Sequence, residues 1–301
     1  LPWSEGVLIN FRLSSLDLSP PDSRQTEQLE ETRMPKALKT KRKSRLAKAA
    51  VVAGSVTALT AGLTGSANAA VLQPLRANAT TFQQKYMPLF DYDTDGCLPA
   101  AAVDANGRLN GGLNNSGKIT GGCRDGHLGR ANTYAQSKCQ HGWCAYVYAL
   151  YFEKDQVVNG ADAFGHRHDF ESVVALQKQG EERPRYLAAS AHGKYSTHPI
   201  NEVPMEGNHV KIVYHKDGGS SHAFRFAKWG EVPKAWGNGR WDRPALVSME
   251  RMAKAPRDAL WNSKWGDANF PLTNNLVNEI NKARQAKRGG QSIERIVPAF
   301  S

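Results

Sequence analysis

A chain of 301 residues with 40% hydrophobic content, 22% charged residues and seven Trp can bury a real core, which excludes a disordered, collagen-like or low-complexity protein. No uncharged apolar run reaches the ~20 residues needed to cross a bilayer, which argues against an integral membrane protein. The formal net charge of +11 invites a nucleic-acid reading, but the first 70 residues hold ten Lys and Arg against six Asp and Glu, and no recognition motif accompanies the rest; no nucleic-acid partner is expected.

Residues 1–33 are acidic, show no apolar periodicity, and read as upstream sequence or a disordered leader. Residues 34–69 read as a secretory signal peptide. Met34 opens a basic stretch from Lys36 to Lys48, Ala49–Leu63 is a short apolar run diluted by Gly and Thr, and Ala67-Asn68-Ala69 is a small-x-small cleavage site. The expected mature protein is a single secreted domain over residues 70–301. Secretion implies oxidised cysteines. Cys97, Cys123, Cys139 and Cys144 allow three connectivities; the expected one is Cys97–Cys123, closing a Gly/Asn-rich loop, with Cys139–Cys144 at the start of a strand.

In chain order, 70–89 is a short helical or extended lead-in, and Gly-rich 97–126 is loop. Trp143–Phe152 (WCAYVYALYF) has no charged residue and suits a strand buried on both faces. Glu171–Leu176, Arg185–Ala191, His209–His215, His222–Trp229 and Ala245–Met249 are short strand signals bounded by Gly, Pro or Ser. Helical spacing takes over only at 273–287, where Leu272, Leu276, Ile280 and Ala283 form a stripe. Strands at short intervals with few helices predict a mainly β protein, a β-sandwich flanked by a few α-helices.

The densest chemistry is Gly165-His166-Arg167-His168-Asp169-Phe170-Glu171, preceded by Lys154-Asp155. Turns are ordinarily built from Gly, Asn, Asp and Ser, so this concentration of His and carboxylates between two apolar runs is costly. If a strand starts near Asp169, Asp169 and Glu171 share a face, and His166 can swing onto it from the turn. Carboxylates with one imidazole suit a hard or borderline divalent cation such as Ca²⁺, Mg²⁺ or Mn²⁺; the bland alternative is a surface salt-bridge cluster. Asp91-Tyr92-Asp93-Thr94-Asp95-Gly96 offers carboxylates on alternate residues before a Gly, as a calcium loop does, but Ala102 stands where an EF-hand needs Glu. Asp91, Asp93 and Asp95 therefore form either a second, non-helical metal loop or an Asx-turn run without metal.

Other signals are weaker. Neighbours on a strand face opposite ways, so neither Ser190-Ala191-His192 nor Ser220-Ser221-His222 makes a nucleophile–base pair. His192, His198, His209 and His215 read as surface or strand histidines. The C-terminal basic residues Lys282, Arg284, Lys287 and Arg288 read as a solvated face.

GHRHDFE at Gly165–Glu171 closely resembles the GHRHDWE signature of the necrosis- and ethylene-inducing-like proteins, secreted cytolysins of plant-associated microbes. WCAYVYALYFEKDQ (143–156), SAHG (190–193) and WGDANFP (265–271) are similar to family segments on either side, so the resemblance spans essentially all of 70–301. Four Cys with FDYDTDGC resemble the family's second type, with an extra disulfide and an added calcium motif. The resemblance implies an actinoporin-like β-sandwich that is not an enzyme. It implies a Ca²⁺ or Mg²⁺ held by Asp155, His166, Asp169 and Glu171, with His168 supporting the pocket and His222 lining its sugar-binding side. The implied partner is the sugar headgroup of plant glycosyl inositol phosphoryl ceramide, with peripheral membrane contact and membrane damage; no oligomerisation motif is visible, so a monomer is expected. The competing reading is a secreted metal-dependent hydrolase with His166 and His168 as ligands and Glu171 as base.

Overall fold

The computed structural model describes residues 71–161 and 164–301; the leader and signal-peptide expectations for 1–69 lie outside the described residues. The described chain runs α1 (Thr81–Tyr86), β1 (Leu89–Tyr92), β2 (Asn132–Gln140), β3 (Trp143–Asp155), β4 (His166–Lys178), β5 (Tyr186–Ala191), β6 (Lys194–Pro199), β7 (Met205–Glu206), β8 (His209–Lys216), β9 (His222–Phe226), β10 (Ala245–Ser248), α2 (Lys254–Asn262), α3 (Leu276–Gln285) and β11 (Gly289–Gly290). A seven-stranded sheet has the order β10-β2-β3-β4-β5-β6-β11, and a smaller sheet is built on β8, which pairs with β1, β7 and β9.

The apolar run in β3 explains the layering. Trp143, Ala145, Val147, Ala149 and Tyr151 join one core, shared with Leu260 of α2 and Leu276, Ile280 and Ala283 of α3. Cys144, Tyr146, Tyr148, Leu150 and Phe152 join the other, shared with Phe90, Ile212, Tyr214 and Phe224 of the small sheet. The large sheet thus lies between helices and a second sheet, and period-2 alternation buries successive side chains on opposite faces. Full burial contributes about 1.5–3 kcal/mol for each large apolar side chain, so β3 anchors both cores.

The fold is mainly β with few helices, as expected. Its sequence-predicted strands are present, with β9 ending at Phe226 and β10 at Ser248. The stripe of α3 is buried, and the helix ends where Ala286 adopts the left-handed conformation. β2, β6 and α2 carry no strong period in the sequence; β2 is buried over Asn132–Ala135 and partly exposed beyond, and β6 mixes exposed and buried positions. The C-terminal basic residues are not one solvated face. Arg284 is buried with its Nε donating to the Val297 carbonyl at 2.7 Å, Lys282 pairs with Glu279 at 2.8 Å, and Arg288 pairs with Asp217. The structure joins Cys97 to Cys123 and Cys139 to Cys144. No helix among the described residues is long and apolar enough to cross a membrane.

Candidate metal centre

β3 does not stop at Phe152 but runs on through Glu153, Lys154 and Asp155, all buried. Three charged residues inside a sheet need partners. Glu153 accepts from His127 Nε2 at 2.8 Å and from Asn110 at 2.9 Å. Lys154 Nζ donates to the Lys118 carbonyl and to Gln156 Oε1, each at 2.8 Å. Asp155 accepts from the His222 backbone N–H at 3.0 Å and from its Nδ1 at 2.7 Å.

The antiparallel ladder of β3 and β4 pairs Phe152 with Asp169, Lys154 with Arg167 and Asp155 with His166, leaving out Glu153 and His168. At that interruption His168 has φ of 60°, a left-handed conformation that costs a non-glycine residue about 1–2 kcal/mol. Strict alternation would put His166 on the face opposite Asp169; this twist brings both to one cavity. His168 is held by Tyr151, whose Oη lies 2.6 Å from its Nδ1, and by an edge-on contact with Trp265. Gly112 passes so close that a Cβ there would lie 2.7 Å from the His168 ring.

The cavity, of about 210 Å³, is lined by Asp155, His166, Asp169, Glu171, His192 and His222, among others. The β4–β5 ladder ends at Val173 and Ala189, so β4 from His166 to Ser172 has no ladder pairing with β5 and the cavity opens beside it. Asp155, His166 and Asp169 each bring a ligand atom within 4.8 Å of the others, and they form the only such group among the described residues. His166 directs Nδ1 to the His168 carbonyl at 2.6 Å, which leaves Nε2 as the free ring nitrogen. Glu171 lines the same cavity and accepts from the Ser190 hydroxyl.

Burial, then the Asp155 charge, pushes the Asp169 carboxyl up to about 7, although the Tyr214 hydroxyl donates to it at 3.0 Å. Burial and then the Asp169 charge push Glu171 well above the usual carboxylate range. Burial opposes a charged His222, but its bond to Asp155 and that carboxylate's charge prevail and raise its pKa. Its Nε2 lies 3.2 Å from the Asp95 carbonyl, so both ring nitrogens face acceptors. Crowded carboxylates that resist ionisation and an imidazole with one free nitrogen are a donor set that fits a divalent cation: positive charge at the cavity would offset the burial cost and the repulsion that together raise both pKa values.

The structure does not gather Asp91, Asp93 and Asp95. Buried Asp91 accepts from the Lys234 and Ala235 backbone N–H groups, each at 2.8 Å, Asp93 pairs with Lys234 Nζ at 2.7 Å, and Asp95 lies beside His222. His168 does not line the cavity and supports it through its carbonyl. Two residues outside the sequence-predicted set stand at the site. His192 lines the cavity, with Nε2 3.0 Å from Asp217 and Nδ1 3.3 Å from Ser221, so Ser221 meets the histidine of another loop rather than its sequence neighbour. Tyr214, which stacks between Phe152 at 3.7 Å and His222 at 5.2 Å, was missed as a site residue. Its signal is alternation: Val210, Ile212 and Tyr214 are in phase on β8, and a buried phenol needs a hydrogen-bond partner.

Comparisons with known proteins agree with this fold. "NLP effector protein 10" of Phytophthora capsici is 36% identical over 184 residues, 60% of this chain and 72% of the relative. "Necrosis-inducing protein NPP1" of Phytophthora nicotianae is 31% identical over 226 residues, 72% and 90% of the two chains. The crystal structure of necrosis and ethylene inducing protein 2 from the causal agent of cocoa's witches' broom disease superposes with a TM-score of 0.60 at 31% identity, covering 70% of this chain and 94% of that one. NLPPya in complex with glucosamine superposes with a TM-score of 0.60 at 28% identity, over 70% and 95%. Residues 80–283, more than half of the sequence, match the family described as "Necrosis inducing protein (NPP1)", and the chain belongs to that family.

Proposed function

We propose that the protein is a secreted, cation-dependent cytolysin that binds the sugar headgroup of plant glycosyl inositol phosphoryl ceramide and damages the membrane, causing necrosis. The observation that carries this reading is the convergence of Asp155, His166 and Asp169 within 4.8 Å in an open, acidic cavity. One relative supports the sugar in two complexes: NLPPya has been solved with mannosamine and with glucosamine. The toxin role is supported by the necrosis-inducing relative and by a neighbouring structure described as a toxin fold. Secretion would rest on the signal peptide expected in residues 34–69.

In this reading Asp155, His166 and Asp169 hold Ca²⁺ or Mg²⁺, with Glu171 behind them and His222 fixing the Asp155 carboxylate. The cation supplies charge neutralisation and open positions for sugar hydroxyls, the oxygen ligands that hard cations prefer. His192 and Ser221 add hydrogen-bonding groups on the cavity wall. No bond is made or broken. The hydrolase alternative asks for His166 and His168 on one ion; His168 engages Tyr151 and does not line the cavity, which leaves that reading without its second imidazole.

The test is dye leakage from plant plasma-membrane vesicles exposed to the oxidised protein, with calcium and with chelator, beside Asp169→Ala. Calcium-dependent leakage that the folded variant lacks is expected. Leakage unaffected by chelator or by the substitution, or none from folded, calcium-loaded protein, would overturn the cytolysin reading.

A further inference from the structure

Away from the cation cavity, and sharing no lining residue with it, lies a groove of about 490 Å³ between the start of β1 and the loop that carries Trp236, Arg240, Trp241 and Arg243. Its floor is fixed. The Phe90 N–H donates to the Asp242 carbonyl at 3.0 Å, and the Asp242 N–H returns a bond to the Phe90 carbonyl at 2.7 Å. The buried Asp242 carboxylate accepts from Tyr92 Oη at 2.8 Å, Trp236 Nε1 at 3.1 Å and the Arg243 backbone N–H at 2.9 Å. Glu206 on the rim pairs with Lys211 at 3.2 Å. The groove's two carboxylates are therefore engaged.

Its two arginines are not. Arg240 and Arg243 are exposed, and neither guanidinium makes a hydrogen bond or ion pair among the described residues. Arg240 instead lies 4.0 Å over the Trp236 ring, and Lys211 lies 5.4 Å from the Trp241 ring. A guanidinium stacked on an indole is held in orientation while its N–H edges stay free, and that planar fork matches a carboxylate. Indole faces carry negative charge density that attracts the weakly positive C–H face of a pyranose ring. A groove of this volume lies within the usual range for small-ligand sites.

We infer that this groove binds an anionic, uronate-bearing saccharide, with the sugar against Trp236 and Trp241 and its carboxylate on Arg240 and Arg243. Lipid phosphate presents the same charge on a flat surface without a ring to stack, and the concave indole walls favour the sugar. The inference is independent of the cation site and of the cytolysin reading.

The test titrates the oxidised full chain with oligogalacturonide in the presence of EDTA, which silences the cation site, following tryptophan fluorescence and calorimetry. Methyl-esterified oligogalacturonide, dextran sulfate and phosphatidylserine vesicles run alongside. Saturable binding of the acid form is expected, weakened about tenfold or more by esterification and by Arg240→Gln/Arg243→Gln, since charge-assisted bonds are the strong ones. The double variant replaces exposed side chains, and its thermal midpoint and calcium affinity should match the parent. Absence of binding would overturn the inference, as would equal affinity for the esterified sugar or an unaffected double variant. Equal affinity for dextran sulfate would reduce the groove to a charge effect, and preference for the vesicles would make it a lipid contact; either result also overturns it.

Discussion

Tyr214→Phe separates what the Tyr214 ring does from what its hydroxyl does. The ring lies 3.7 Å from Phe152 at an interplanar angle of 9° and 5.2 Å from His222, and phenylalanine keeps those contacts. The hydroxyl donates at 3.0 Å to Asp169, in a position where both side chains are buried. Removing one partner of a buried hydrogen bond costs about 1–2 kcal/mol, or roughly 2–4 °C in melting temperature per kcal/mol for a domain of this size. Tyr214→Ala also removes the ring from between Phe152 and His222 and is expected to cost about 3–5 kcal/mol. The phenol bond favours the ionised carboxylate, so Tyr214→Phe leaves Asp169 harder to ionise and should weaken calcium binding. Guanidinium unfolding gives the first quantity and calorimetric calcium titration the second. The reasoning is refuted if Tyr214→Phe is as destabilising as Tyr214→Ala, or if it leaves both stability and calcium affinity unchanged.

Asp169 titrates near 7 when folded and near 4 when unfolded, so the folded state holds the extra proton between those values. Stability without divalent cation should therefore fall as pH rises from about 4 to about 7, and calcium should flatten that slope; a flat profile in chelator would contradict the assignment. Glu231 has the opposite sign, because Arg225 holds its carboxyl down at about 2 through bonds of 2.7 and 2.8 Å. Its contribution is present above the unfolded carboxylate range and lost as pH falls towards 2, so Glu231→Gln should make acid unfolding shallower in that window. The disulfides span 26 and 5 residues, for which chain entropy gives about 3.5 and 2 kcal/mol; replacing Cys97 and Cys123 by Ala should lower the denaturation midpoint more than replacing Cys139 and Cys144. Equal losses from the two double variants would show that loop entropy is not the main term.

Local chemistry written along the chain was enough to place the β-rich fold, the doubly buried strand at Trp143–Phe152 and the stripe of α3, because period and composition are set by which faces of an element meet the core. It was also enough to single out the heptapeptide at Gly165–Glu171, because charged residues between apolar strands are too costly to be incidental. Tertiary structure decided the rest. His166 reaches the face of Asp169 only through the left-handed backbone at His168, a conformation that alternation rules do not anticipate. Asp155 is oriented by His222, 67 residues away, and β8 brings Tyr214 to Asp169 across 45 residues. Asp91, Asp93 and Asp95 have the spacing of a cation loop, yet Lys234 and its neighbour's amide claim two of them. The Trp236–Arg243 groove left no mark on the linear pattern, since it exists only where that loop closes over β1. A sequence records what each residue prefers; which partner satisfies that preference is set by segments that meet only when both cores are packed.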